Sequence, residues 1–163
     1  LYNDVTELSI SKTDIATGKE LPGATLSICE AVEENGKYEM VVGNNEECSV
    51  VSLADGSLAT WTSTDKPHQI KGLGAGTYYL VEKIAPKNYS TAESILFKVT
   101  EDGKILDINN KSVLNNKIVM KDKKIEEVKT GDLPIIGIFI ICLISLSTAV
   151  MCYYFSNKNY NLG

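Results

Sequence analysis

The run GLGAGTYYLVEKIAPKNY, residues 72–89, decides how this chain folds. Its glycines open a turn, after which Tyr78, Leu80, Glu82 and Ile84 share one parity and Tyr79, Val81 and Lys83 the other. Successive strand residues point to opposite faces, so each set looks to its own side of a sheet. The first set reads as a core face, and Glu82 stands in it as a carboxyl among apolar neighbours. Ala85-Pro86-Lys87-Asn88 then closes the strand as a turn. GLGAG has the look of a phosphate cradle, but it leads into a strand and not a helix, so it is a turn.

The same misfit recurs near both ends of the strand-rich region. Leu8, Ile10 and Lys12 share a parity, and so do Ile118, Met120 and Asp122. An unpaired buried charge costs several kcal/mol, roughly, unless it neutralises or finds partners. One amine and two carboxyls, from the first, a middle and the last strand, can answer one another in a single core. A buried ion-pair cluster and strand ends that reach water both fit this pattern.

Between these landmarks, residues 5–124 read as short strands separated by turn chemistry, without a helical period. ATGKELPG, ADG, GAG, APKN and EDG punctuate the chain, and Ile95, Phe97 and Val99 alternate with Leu96, Lys98 and Thr100. Many short strands with frequent turns predict an all-β sandwich that buries its two inner faces. Trp61 is expected in that core and His68, after Pro67, in an exposed stretch.

Three phrases in order carry a family resemblance: ISKTDIATGKELPGATLSI (residues 10–28), the 72–89 run, and KIVMKD (residues 117–122). The chain resembles the collagen-adhesin B-type domain, the Cna-B or SpaA-like module of Gram-positive surface proteins and pilins. The resemblance implies a prealbumin-like sandwich over residues 5–124. It also implies a self-formed isopeptide bond, in which Lys12 attacks the side-chain carbonyl of Asp122 with Glu82 as proton shuttle. An exposed lysine amine is protonated at neutral pH and is no nucleophile, whereas burial favours the neutral forms of amines and acids alike. The product amide is neutral, which removes the burial penalty of the reactants. Two departures stand out: Asp122 replaces the commoner Asn, making water the leaving group, and Lys83 and Asn88 replace the usual Thr and Gly. Asn115 or Asn116 is the fallback acceptor.

The resemblance fades over residues 30–60, which read as one or two extra hairpins with Asn35-Gly36 as a two-residue turn. Cys29 and Cys48 flank the first of them. In an oxidising exterior they form a disulfide worth about 3 kcal/mol in the loop-entropy account, or they remain two free thiols.

Beyond the sandwich, residues 125–134 read as a linker, residues 135–155 as a transmembrane helix and residues 156–163 as a short cytoplasmic tail. Residues 135–155 carry no Asp, Glu, Lys or Arg. At about 1.5 Å per residue they suffice for a hydrocarbon core of about 30 Å. Tyr153, Tyr154 and Phe155 suit an interface belt, and Cys142 and Cys152 are apolar packing within the span. In sortase-anchored relatives a Leu-Pro-x-Thr-Gly pentapeptide precedes such a segment. Here Lys129-Thr130-Gly131 fits its last three positions, with cleavage between Thr130 and Gly131, although Glu127 and Val128 replace Leu and Pro. LPIIG, residues 133–137, is the second candidate, and an uncleaved single-pass anchor the third reading. The chain begins at Leu1 and reads as the C-terminal piece of a longer protein. Residues 1–4 then close a preceding module or form a polar lead-in, and Asn3 aligns with the acceptor position.

Net charge is −5, from 16 basic and 21 acidic residues. With no basic cluster interleaved with aromatics, nucleic acid is excluded as a partner. No metal-ligand spacing is present, His68 has no Ser or Cys partner in a known motif, and no cofactor is expected. The predicted role is a stalk module at the cell surface, wall-anchored or membrane-anchored, with sortase, peptidoglycan and the membrane as partners. Host extracellular matrix would be reached through upstream domains. Isopeptide formation is a single turnover, so the chain is not read as an enzyme. Rival readings are a ligand-binding adhesin domain using the 29–61 insertion and a polymerising pilin subunit.

Overall fold

The computed structural model describes residues 6–43 and 47–126. The strands are β1 (Glu7–Asp14), β2 (Thr25–Glu34), β3 (Lys37–Met40), β4 (Thr60–Thr62), β5 (His68–Lys71), β6 (Gly76–Ile84), β7 (Ile95–Val99), β8 (Ile105–Leu106) and β9 (Lys117–Asp122). A 3-10 turn, Leu114–Asn116, precedes β9. The strands form two sheets. One has the order β5-β1-β9; the other runs β3-β2-β6-β7-β8, with β4 also paired to β2.

Period-two burial builds the core. Tyr78, Leu80 and Glu82 of β6 are buried, as are Ile118, Met120 and Asp122 of β9. Leu8, Ile10, Leu26, Ile28, Ile70, Phe97, Val99 and Ile105 complete the apolar layer between the sheets. Strand β1 departs from simple alternation: Ser11 and Thr13 are buried as well. It is the central strand of its sheet, and the segment after it folds back, with the Leu21 N–H donating to the Lys12 carbonyl at 2.7 Å.

The pairing of β1 matters most for function. It lies antiparallel to β5, with Leu8 opposite Ile70, and parallel to β9, with Lys12 opposite Met120 and Asp14 opposite Asp122. First and last strands are therefore adjacent and point the same way. The chain enters at one end of this sheet and leaves at the other.

Asn35 (φ 52°) and Gly36 (φ 75°) join β2 to β3 in a two-residue hairpin, where both positions need the left-handed region. Gly72 (φ 71°) sits where any Cβ would come within 2.6 Å of the Ala54 Cβ, so the glycine-rich entry to β6 is a packing and turn requirement. Two expectations are corrected at the sandwich edge. Trp61 is half-buried against the core and not within it, and His68 is half-buried and not exposed. Their rings stack at 4.5 Å with planes 11° apart, joining β4 of the larger sheet to β5 of the smaller. Burial lowers the His68 pKa. Among the described residues no helix is long and apolar enough to cross a membrane. The span expected at 135–155 and the tail after it lie outside the described residues, as do residues 1–4.

Candidate functional site

Lys12, Glu82 and Asp122 meet between the sheets. Lys12 and Asp122 come from neighbouring strands of the small sheet, and Glu82 reaches across from β6 in the large one. Their relative exposures are 2%, 5% and 0%, which places three ionisable side chains wholly inside the core. Lys12 Nζ lies 2.8 Å from Glu82 Oε1 and also contacts Asp122 Oδ1.

The backbone fixes each member. Lys12 is held by Glu20, whose Oε2 accepts from the Lys12 N–H at 3.2 Å while its Oε1 accepts from the Ser11 hydroxyl at 2.6 Å. Asp122 is fixed by the parallel ladder, its carbonyl accepting from the Ile15 N–H at 2.9 Å. Glu82 Oε2 accepts from the Ala92 N–H at 2.7 Å, which leaves Oε1 turned to Lys12. Burial pushes the Asp122 carboxyl above the ordinary aspartate range; the Lys12 ammonium opposes that rise and neighbouring Glu82 adds to it. A carboxyl driven toward its neutral form, an amine in contact with it and a second carboxyl in reach are the components of an amide condensation.

A second polar group lies next to the first. Tyr89 donates its hydroxyl to Asp14 Oδ2 at 2.7 Å, and Asp14 Oδ1 accepts from the Ala16 and Thr17 N–H groups at 2.8 and 2.7 Å. The Tyr89 hydrogen bond is the largest influence holding the Asp14 carboxyl below its ordinary range, and Asp14 in turn raises the phenol.

The remaining expected residues fall elsewhere. Asn115 and Asn116 sit in the 3-10 turn before β9, and the Asn116 amide donates to the Glu7 carbonyl at 3.2 Å. That is the far end of β1 from Lys12, so neither asparagine is placed to accept its amine. Cys29 and Cys48 are paired as a disulfide with Cα atoms 5.8 Å apart. Thr130, Gly131, the 133–137 alternative and Asn3 lie outside the described residues. Among the described residues no group of three or more His, Cys, Asp or Glu side chains is arranged to hold a metal. Sequence reasoning missed the roles of Glu20, Asp14 and the Ala92 amide. Tyr89 was visible in the 72–89 run, but a backbone N–H leaves no mark in a residue pattern.

The family model described as the SpaA prealbumin-like fold domain matches residues 6–112. The chain belongs to this family. The match contains Lys12 and Glu82 and ends before β9, so Asp122 is placed by the fold and not by the match. No curated protein matches the chain. Among solved structures, the SpaA-type domain is similar to a streptococcal ancillary pilin at 26% identity, over 73% of this chain and 29% of that one, with a TM-score of 0.46. It is also similar to the pilus-presented adhesin Cpa at 31% identity, over 64% and 19% of the two chains, with a TM-score of 0.44. A third is the group B streptococcus pilus 2b backbone protein, at 25% identity over 75% and 42%, with a TM-score of 0.46. The chain spans less than half the length of each of these proteins.

Proposed function

We propose that this SpaA-type domain is a tension-carrying stalk module of a Gram-positive pilin or wall-anchored surface protein, locked by a self-formed amide between Lys12 and Asp122. The observation that carries the reading is the placement of Lys12 Nζ between the Glu82 and Asp122 carboxyls, in a buried site that ties the first strand to the last. In the reaction the Lys12 nitrogen bonds to the Asp122 side-chain carbon and one carbon–oxygen bond breaks. From an ammonium and a carboxylate, one proton stays on the amide nitrogen and two leave with the oxygen as water. Glu82 relays those protons and polarises the carbonyl under attack.

Topology supports the mechanical role. Because β1 and β9 are parallel and adjacent, a pull on the two ends of the domain shears one strand along the other. An amide from Lys12 to Asp122 takes that load covalently and shields the 110 residue steps between them. Sortase processing near Thr130 and Gly131, anchoring through residues 135–155 and a wall location complete the reading; they rest on the sequence and the family resemblance. Upstream domains would carry host-matrix contact.

Pulling single molecules of the full chain by both ends tests this function. A cross-linked domain releases no length between residues 12 and 122. An open one lengthens by roughly 3.4 Å per residue over that stretch on unfolding, and that result would refute the stalk reading.

A further inference from the structure

We propose that residues 88–92 are a positioning strap, in which Tyr89, tied to Asp14, holds the Ala92 amide against Glu82 and so aims that carboxyl at Lys12. The inference rests on the cross-linking reaction proposed above and adds residues to its machinery.

The strap is built from both sides of the sandwich. It leaves β6 at Ile84 and enters β7 at Ile95, so both its ends belong to the large sheet. Its middle is fastened to the small one. The Tyr89 hydroxyl donates to Asp14 at the end of β1, the Ser90 N–H donates to the Lys123 carbonyl at 3.0 Å, and the Ile125 N–H donates to the Asn88 carbonyl at 2.8 Å. Asn88 adopts φ 68°, a conformation asparagine tolerates better than most side chains, and this turns the chain toward β9. Four residues further on, the Ala92 N–H donates to Glu82 Oε2 at 2.7 Å.

The consequence is geometric. A glutamate has three side-chain torsions, and a proton relay needs one of its oxygens within hydrogen-bond reach of the reacting atoms. Binding Oε2 to a fixed backbone donor leaves Oε1 with one direction, and in that direction lies Lys12 Nζ at 2.8 Å. The strap also borders open space. An open groove of about 410 Å³ lies between it and the end of the small sheet, lined by Ile15, Ala92, Ile95, Met120, Lys121 and Lys123 among others. Ala92 thus both lines the groove and donates its N–H to Glu82. Loosening the strap both frees the carboxyl and admits water to a reaction that expels water.

The test follows cross-linking in time. The full 163-residue chain is made by cell-free translation and sampled into denaturing acid, and the fraction lighter by one water is read by intact mass. Tyr89→Phe keeps the ring and loses the hydroxyl, and is expected to slow the reaction about tenfold or more, as misalignment of a proton-transfer group does. Asp14→Ala removes the acceptor of the Tyr89 hydroxyl, together with the turn contacts to Ala16 and Thr17, and is expected to slow it at least comparably. The double variant should be no slower than the slower single one, because both break one hydrogen bond. Tyr79→Phe is the control: it removes a hydroxyl that donates to the Tyr38 carbonyl, away from the cluster, and should leave the rate unchanged. The strap variants should also move the pH at which the rate is half-maximal, which a loss of stability alone would not do. A parental rate in Tyr89→Phe, or equal slowing in Tyr79→Phe, overturns the strap while leaving the cross-link standing. If Tyr89→Phe does not reach a protease-resistant fold, Asp14→Ala decides, and a parental rate there overturns it. A parent chain that never loses water overturns the cross-link and the strap together.

Discussion

The centre of the sandwich and its insertion each bring a reactive pair together, and the two pairs do different work. Lys12 and Asp122 join the strands through which the chain enters and leaves, 110 positions apart. Cys29 and Cys48 are 19 positions apart and staple the base of the β2–β3 hairpin. In the loop-entropy account a ring of the first size stabilises by about 5 kcal/mol and one of the second by about 3 kcal/mol. The modest gap follows from the logarithmic dependence on loop length. In the proposed stalk the mechanical gap is far wider, because a pull from end to end would pass through the first pair and bypass the second. Chemistry separates them too: the proposed amide, formed in a buried core, would need no oxidant and would resist reductant, whereas a disulfide follows the redox state around it.

The largest predicted effect comes from breaking the central pair. Lys12→Ala removes the nucleophile and leaves two carboxyls buried together. The loss should reach about 5 kcal/mol from the opened ring, with several kcal/mol more, roughly, from the unpaired acids. Urea unfolding of parent and variant measures it, and a loss below about 2 kcal/mol would show that no ring had been closed. Next comes Cys48→Ser, expected to cost about 3 kcal/mol while leaving the Lys12–Asp122 amide intact. Peptide mapping that found the amide missing in that variant would show that the two staples are coupled.

A pH experiment sharpens the contrast further. In Glu82→Ala, expected to leave Lys12 and Asp122 unreacted, burial still acts on the Asp122 carboxyl, the largest cause of its raised pKa. A group whose folded pKa lies above its unfolded value binds more protons when folded, so stability increases as pH falls through the folded pKa. That gain levels off below the unfolded value. The parent chain, with Asp122 consumed in an amide, should lack this rise. Asp14 works in the opposite sense in both chains. Its folded pKa is depressed, so its stabilisation is present above the unfolded value and disappears as pH falls through the folded one. Melting curves across the acid range separate the two contributions. The smallest effect is expected at the far end of β9, where Asn115→Ala and Asn116→Ala should leave the cross-linked fraction unchanged.

Much of this was legible in the residues. Alternation placed Glu82 with Tyr78 and Leu80, and Asp122 with Ile118 and Met120, on buried faces, because a strand's side-chain period is two and a core tolerates few charges. Asn35-Gly36 was readable because few dipeptides suit a two-residue hairpin. What parity could not give was the third dimension. That β1 lies parallel to β9, so that Lys12 reaches Asp122 and not Asn116, is a property of strand order. The stacking of Trp61 on His68 likewise depends on β4 and β5 meeting at an edge, although they are adjacent in sequence. Glu20 and Ala92 were invisible for another reason: each acts in part through a backbone N–H, which every non-proline residue carries.

The most direct test of the central claim is the intact mass of the full chain, denatured and reduced, beside its Glu82→Ala variant. The account predicts a parent lighter than its sequence by one water and a variant at full mass. Full mass in both would contradict it and leave Lys12, Glu82 and Asp122 as a buried ion cluster.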